Sequence, residues 1–280
     1  HSESFINKNE KKQSKTIFSE VTQTKLITPF LHKENVYDDF INQVLLPHKL
    51  SQNGPCITVG DINNDGLDDF FVGGAANQSS EIYYQKLNGQ FYTKKQNAFI
   101  EDSKHEDVGA IFFDADNDHD LDLYVVSGGN EFLENAPIYN DRLYINDGKG
   151  NFKKSNNLPN ITQSGSCVLP LDFDKDGDLD LFVGGRLVPN KYPSAPKSFL
   201  LENKNGIFTD VTQKVAPELL NLGMVTSATW NDIDGDSSQE LILVGEWMPI
   251  TIFKKQGKQF VNATKTFNLE NTSGWWNKIE

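Results

Sequence analysis

An acidic loop followed directly by an apolar run occurs four times in this chain of 280 residues. Every copy has an oxygen-bearing side chain at loop positions 1, 3, 5 and 9, and successive loops start 53, 58 and 60 residues apart. Crowded carboxylates repel one another unless a hard cation neutralises them, and alternating oxygen ligands in a tight loop are how proteins wrap Ca²⁺. The pattern predicts one calcium site in each of the loops 1 to 4, which are residues 61–69, 114–122, 172–180 and 232–240.

The residues at these loop positions define the predicted ligands. Side chains at positions 1, 3, 5 and 9 offer carboxylate or amide oxygens, and position 7 is expected to offer its backbone carbonyl. Two loops depart from the common form: His119 takes the usual glycine position of loop 2, and loop 4 has its glycine early, at Gly235, with Ser237 in the usual place. The predicted ligands are Asp61, Asn63, Asp65, Leu67 and Asp69 in loop 1; Asp114, Asp116, Asp118, Asp120 and Asp122 in loop 2; Asp172, Asp174, Asp176, Asp178 and Asp180 in loop 3; and Asp232, Asp234, Asp236, Ser238 and Glu240 in loop 4.

The segments that flank each loop have the pattern of strands. An EF-hand needs a glutamate at the twelfth loop position and a helix on each side, but the twelfth positions here are Val72, Val125, Val183 and Leu243. Each loop is followed instead by β-branched and aromatic residues that end at glycine, which is typical of a buried strand. Further along each copy, a turn that contains glycine lies between two apolar runs and indicates a hairpin.

Each copy therefore consists of a strand, a calcium loop, a second strand, a connection, and a hairpin of two more strands. Four antiparallel strands that recur at this period describe the blades of a β-propeller. We expect an all-β fold with four complete blades at residues 54–106, 107–165, 166–222 and 223–272, and the start of a further blade at residues 273–280.

The remaining segments lie outside these blades. Residues 1–16 are polar and rich in lysine, and we interpret them as a disordered linker. Residues 17–23 repeat the outer-strand sequence of residues 207–213, although no blade precedes them. Residues 24–53 belong to no blade, and a short helix and an irregular packed segment both remain open for them. We expect an incomplete propeller, completed by further blades or by a partner chain, and the start at His1 suggests a mature or trimmed product.

The loops and the Val-Gly-Gly run that follows them resemble FG-GAP/VCBS repeats, the calcium-bearing blades of integrin α-subunit propellers. The layout is also similar to that of the extracellular ASPIC-type family, which includes cartilage acidic protein and many large bacterial surface proteins. Further matching stretches are residues 32–35, 51–55, 127–131 and 245–249. The resemblance covers residues 17–280 and implies four-stranded blades in a larger propeller of about seven blades. It also implies a protein that is secreted or on the outer cell surface, where residues 1–16 could anchor it.

Composition excludes two classes of partner. The net charge is −13, and four bound Ca²⁺ would reduce it to −5, so the acidity mainly reflects the loops. A nucleic-acid-binding protein would need a basic patch, which the sequence lacks, and no apolar run is long enough to span a membrane. Cys56 and Cys167 occupy equivalent positions before loops 1 and 3, and we expect both to be free thiols rather than a disulfide.

Motifs of catalysis are missing from the sequence. We interpret His32 with Glu34, and His105 with Glu106, as structural or exposed pairs rather than catalytic ones. Three interpretations remain: a non-catalytic binding or adhesion module for a glycan or protein, the propeller of a polysaccharide lyase or hydrolase, and a scaffold for other domains.

A ligand site is predicted on the face opposite the calcium loops, where the connections between the second and third strands of each blade emerge. A charged residue beside an aromatic one offers hydrogen bonds and a stacking surface to a ligand. Two alternatives remain open: Arg186 and Glu246 could pair across adjacent blades, and Trp247 could fill the core. The predicted ligand-binding residues are Asn130, Glu131, Arg186, Glu246 and Trp247.

Overall fold

The computed structural model describes residues 17–280, and the linker predicted for residues 1–16 lies outside them. The strands form four antiparallel sheets of four strands each, taken in chain order, which confirms the predicted all-β fold with four-stranded blades. The strands are β1 (Ile57–Gly60), β2 (Asp69–Val72), β3 (Glu81–Gln85) and β4 (Phe91–Thr93) in sheet 1; β5 (Asp107–Phe113), β6 (Asp122–Ser127), β7 (Arg142–Ile145) and β8 (Lys153–Lys154) in sheet 2; β9 (Ser164–Leu171), β10 (Asp180–Leu187), β11 (Phe199–Lys204) and β12 (Ile207–Asp210) in sheet 3; and β13 (Met224–Asn231), β14 (Glu240–Met248), β15 (Thr251–Gln256) and β16 (Gln259–Asn262) in sheet 4.

Helices are short and lie in the segments that precede, connect or follow the strands. None of those in residues 17–280 has the length and apolar character that crossing a membrane requires. The α-helices are α1 (Thr22–Lys25), α2 (Asn97–Glu101) and α3 (Thr212–Val215), and the 3-10 helices are Asp39–Ile41, Pro137–Tyr139, Pro217–Asn221 and Thr264–Phe267.

Each acidic loop joins the first and second strands of its sheet. The residue at loop position 9 is the first residue of the second strand, and it pairs with the residue that immediately precedes position 1. This strand pairing therefore holds the two ends of each loop together, so that the side chains of the loop converge on its centre. The closing pairs are Gly60 with Asp69, Phe113 with Asp122, Leu171 with Asp180, and Asn231 with Glu240.

The sheets pack face to face in chain order. The first strands are neighbours, since β1 contacts β5, β5 contacts β9 and β9 contacts β13. Strand β6 shows why the apolar runs are almost continuous: Leu123 and Val125 pack against sheet 1, while Tyr124 and Val126 pack against sheet 3. A strand that is buried on both faces needs apolar residues at every position, and each such side chain contributes about 1.5–3 kcal/mol when it is fully buried.

Both cysteines are free, as predicted. A short strand, β17 (Gly274–Trp275), pairs with the end of β14. The backbone N–H of Trp276 donates to the carbonyl of Gly245 at 3.2 Å, as the N–H of Asp107, the first residue of β5, donates to Gly74 at 3.0 Å. That residues 273–280 begin a further blade stays a prediction, as do the exact blade boundaries.

Residues 31–53 form a segment that we call the insert, and it is mostly irregular apart from the helix Asp39–Ile41. Of the two alternatives for residues 24–53, the structure contains both in part, with a short helix at Asp39–Ile41 within otherwise irregular chain. The insert bonds to the connection between the second and third strands in three successive sheets, through Gln78, Asn130 and Tyr192. It thus runs across the face opposite the calcium loops.

Candidate calcium loops and candidate ligand pocket

The four loops share one backbone conformation. Positions 4 and 6 have positive φ in every loop, which is the left-handed region that glycine and asparagine tolerate best. The two departures noted in the sequence therefore leave the conformation unchanged, because His119 and Ser237 adopt φ of 72° and 68° at position 6. The early glycine of loop 4 lies at position 4, where φ is also positive. The position 4 residues are Asn64, Asn117, Lys175 and Gly235, with φ of 57°, 63°, 66° and 77°.

Backbone N–H groups hold the ligand side chains in place. The position 1 carboxylate accepts a bond of 2.8–3.1 Å from the position 6 N–H in all four loops. The position 5 carboxylate accepts one of 2.9–3.1 Å from the position 7 N–H. These bonds bend the chain around its own carboxylates, so that one oxygen of each can face the loop centre.

The carboxyl groups at position 9 are the most buried part of each loop. Asp69, Asp122, Asp180 and Glu240 have no exposed surface. In loops 1 to 3, each accepts a 2.8 Å bond from a backbone N–H at the end of the third strand. Burial, reinforced by neighbouring loop acids, raises the pKa of Asp69 to about 6 and those of Asp122 and Asp180 to about 7. A nearby cation would offset this cost of burying negative charge.

Loops 2 and 3 bring the ligand oxygens of positions 1, 3 and 9 within 4.8 Å of one another. Loop 1 has the same backbone, with Asn63 at position 3. Several buried oxygens in loops 1 and 2 accept no hydrogen bond: Oδ2 of Asp69, and Oδ1 of Asp114, Asp116 and Asp120. Converging acceptors without donors fit a hard divalent cation such as Ca²⁺.

Loop 4 has the same conformation but different surroundings. The oxygens of Asp232, Asp234 and Glu240 also lie within 4.8 Å of one another. The ammonium group of Lys254, however, contacts Asp234 and lies 2.6 Å from Asp236.

A contact between neighbouring sheets holds each of the first three loops, and the sequence analysis did not predict it. The side-chain amide of Asn146 in sheet 2 donates to the carbonyl of Ile62 in loop 1 at 2.8 Å, and Asn203 in sheet 3 donates to Ala115 in loop 2 at 2.8 Å. Lys255 in sheet 4 donates to the carbonyl of Phe173 in loop 3. These acceptors all occupy loop position 2, so each loop is anchored by the next sheet. The only sequence signal was an asparagine ahead of a hairpin glycine.

The predicted ligand residues separate into two groups. Asn130 is completely buried beneath the insert, where its amide bonds to Asp39 at 2.7 Å and accepts from Asn190 at 2.9 Å. Glu131 beside it accepts bonds from Asn35 and from the backbone of Asn130. These two side chains are therefore occupied in attaching the insert to sheet 2.

Of the other three residues, Arg186 and Glu246 line a cavity of about 260 Å³ near the ends of β10 and β14, and Trp247 follows Glu246 directly in the chain. Arg186 and Glu246 form a buried ion pair at 2.5 Å, so they do pair across adjacent sheets. Trp247 does not fill the core: its side chain is 61 % exposed, and its indole N–H donates to the Tyr192 hydroxyl at 2.7 Å.

Two residues that the sequence analysis did not single out lie here: His48 lines the cavity, and Trp275 contacts both His48 and Trp247. His48 of the insert lies 3.6 Å from Glu246 and packs edge-on against Trp275. Trp275 in turn packs edge-on against Trp247, with ring centroids 5.7 Å apart. His48 and Trp275 are distant in sequence from the strands they adjoin, so no local pattern could have joined them.

The two histidine–glutamate pairs lie elsewhere. His32 lies 2.7 Å from Glu34 at the start of the insert. Burial lowers the pKa of His105 to about 4, and its ring contacts the carbonyl of Ile138 at 2.8 Å. Burial also raises the pKa of Glu106 to about 8, with further contributions from Glu34 and Glu131.

Comparison with known families agrees with the motifs. A family model described as FG-GAP-like repeat matches residues 50–125 and 128–183, which include sheets 1 and 2 and the start of sheet 3. No curated protein matches the chain. The chain thus contains FG-GAP-like repeats, as its loops predicted, and such repeats are typical of extracellular proteins. The narrower resemblance to the ASPIC-type family stays a prediction.

Proposed function

We propose that this FG-GAP-like repeat protein is an extracellular, calcium-stabilised β-propeller module that binds a glycan and has no catalytic activity. The observation that carries the proposal is the pocket between β10 and β14. There, one nitrogen of Arg186 (Nη1) and one oxygen of Glu246 (Oε2) are buried without a hydrogen-bond partner.

The ion pair uses only part of each side chain. A buried donor or acceptor that lacks a partner costs about 1–3 kcal/mol, so these two atoms favour a ligand or water that can satisfy both. A hydroxyl both accepts and donates a hydrogen bond. Two adjacent hydroxyls of a sugar could therefore accept from the Arg186 guanidinium and donate to the Glu246 carboxylate.

The rings beside the pocket offer a stacking surface. Trp247 and Trp275 are 61 % and 44 % exposed, and their perpendicular packing holds both rings in fixed orientations. Trp247 also has a φ of 58°, which costs a side-chain-bearing residue about 1–2 kcal/mol. Strain of this kind persists where the surroundings impose it, and it is concentrated at functional sites. An exposed tryptophan held this way supports a binding role.

Calcium supports the proposed module without touching its ligand. The loops join the first and second strands, whereas the pocket lies where second strands end, at the other end of the sheets. At ~1 mM free Ca²⁺ and a dissociation constant of ~0.1 mM, an occupied site adds about 1.4 kcal/mol to the free energy of unfolding.

A glycan array probed with the calcium-loaded chain tests the proposal. We expect Trp247→Ala to weaken binding to the recognised glycan at least tenfold, while the melting temperature in calcium stays within about 2 °C. Phe132→Ala is the matched control, because Phe132 is a similarly exposed aromatic residue on the connection between β6 and β7. Arg186→Ala is less suitable, since it leaves Glu246 buried and unpaired.

Two results would contradict this function. Equal glycan affinity of Trp247→Ala and the unmodified chain would exclude the pocket as the binding site. Shortening of a recognised polysaccharide during incubation would favour the lyase or hydrolase interpretation instead.

A further inference from the structure

Lys254 lies where a calcium ion would lie in loop 4. Its ammonium nitrogen contacts Oδ2 of Asp234, and lies 2.6 Å from Oδ2 of Asp236 and 3.6 Å from Oε1 of Glu240. These are the side chains of loop positions 3, 5 and 9. Calcium–oxygen distances are about 2.3–2.6 Å, so the ammonium group and a calcium ion cannot occupy this space together.

The register of sheet 4 brings the lysine there. Leu241 of β14 pairs with Phe253 of β15, which places Lys254 opposite Glu240. In sheets 1 to 3 the corresponding registers place uncharged or acidic residues opposite position 9, namely Tyr84, Ile145 and Glu202. Among residues 17–280, no other ion pair joins a lysine to a predicted calcium ligand.

The lysine is also held in place rather than freely solvated. Its side chain is only 22 % exposed, and three carboxylates surround its ammonium group. Because the ammonium group is tethered by its own side chain, it competes with calcium for the loop oxygens at an effective concentration in the millimolar range. That concentration matches or exceeds the free calcium at which extracellular modules of this kind bind their ions.

We infer that Lys254 replaces calcium in loop 4, so that the chain binds three Ca²⁺ ions, in loops 1 to 3. The inference rests on the proposed calcium role of those three loops. It differs from the expectation of four sites, which considered only the loop residues and not the strand opposite them. Loop 4 is then held by its own sheet at any calcium concentration, with Lys254 offsetting part of its negative charge.

Native mass spectrometry of residues 1–280 at saturating calcium measures the number of bound ions directly. We expect three ions in the unmodified chain and four in Lys254→Met, which keeps the length of the side chain and removes its charge. Lys258→Met is the matched control, because Lys258 lies exposed on the same hairpin and its loss changes the net charge equally. This control should bind three ions.

Ligand substitutions provide a second test that does not depend on the lysine variant. Asp174→Ala in loop 3 removes the oxygen ligand of position 3 and should lower the count from three to two, whereas Asp234→Ala at the same position of loop 4 should leave it at three. Four ions in the unmodified chain, or three in a folded Lys254→Met, would overturn the inference while leaving the calcium role of loops 1 to 3 intact. A count of zero would overturn both.

Discussion

Individual positions in the acidic loops are constrained by backbone conformation as well as by ligand chemistry. Positions 4 and 6 both require positive φ, yet only Gly66, Gly177 and Gly235 supply glycine there. His119 adopts the same conformation and bears the cost of a left-handed residue with a Cβ atom. Spacing of oxygen ligands was readable from the sequence, but the requirement at position 4 was not, because asparagine, lysine and glycine share no side-chain pattern.

His119→Gly should therefore stabilise the chain. Removing the left-handed strain should raise the free energy of unfolding by about 0.5–1 kcal/mol, after the greater entropy of unfolded glycine is subtracted. Gly66→Ala in loop 1 is the reciprocal variant and should lower the free energy of unfolding by a similar amount. No atom obstructs the added methyl group, so the backbone strain is its only cost. Urea denaturation in saturating calcium measures both, and a shift of the same sign in the two variants would contradict the explanation.

Glu106 should make stability depend on pH. Chiefly because of burial, the pKa of Glu106 rises from 4.5 in the unfolded chain to about 8 in the folded chain. The stability that its protonated form contributes is therefore fully present below pH 4.5 and is lost as the pH rises through about 8. Glu106→Gln removes this dependence and should gain a few kcal/mol over the unmodified chain between pH 5 and pH 9. Urea midpoints of both proteins at fixed calcium test this, because the loop acids titrate equally in the two. A difference that does not change with pH would argue against it.

At the scale of the strand and the hairpin, local pattern was a reliable guide. The apolar runs, their glycine ends and the turn residues predicted four strands per repeat, since each depends on a few neighbouring residues. The role of Asn146 and Asn203 was missed for the opposite reason. Both lie within segments predicted as hairpins, but their amides reach a loop in the preceding sheet, and the distance between sheets is set by side chains far away in the sequence.

Asn203→Ala should loosen loop 2 from a position outside it. The substitution removes the amide that bonds to Ala115 and Leu179, and leaves buried carbonyls without donors at a cost of about 1–3 kcal/mol. We expect a lower melting temperature and weaker calcium binding at loops 2 and 3, which contain these two carbonyls, measured by calorimetric titration. Asn88→Ala, at the exposed turn of sheet 1, should change neither. Unaltered calcium affinity in Asn203→Ala would show that the anchor does not support the site.

At the scale of the whole molecule, the repeats predicted the order of the sheets. They did not predict which residues are covered on the face opposite the calcium loops. The insert has no repeat pattern, and its path is set by contacts such as those of Asp39, which accepts bonds from Leu50, Ser51 and Asn130. Those contacts bury Asn130, leave Glu131 half-buried, and leave the pocket near Arg186 open. A sequence that places all five predicted residues on one face cannot show which of them the insert covers.

Calcium removal tests how far the loops hold the sheets together. Three occupied sites at ~1 mM calcium, each with a dissociation constant of ~0.1 mM, add about 4 kcal/mol in total. For a chain of this size, that corresponds to a melting temperature lower by roughly 8–16 °C in excess chelator. Because each of loops 1 to 3 is anchored by the next sheet, losing the ions should weaken neighbouring sheets together. Calorimetry should then show one transition that shifts as a whole. An unchanged midpoint in chelator would contradict a stabilising role for calcium, and a split into separate transitions would show that the anchors do not couple the sheets.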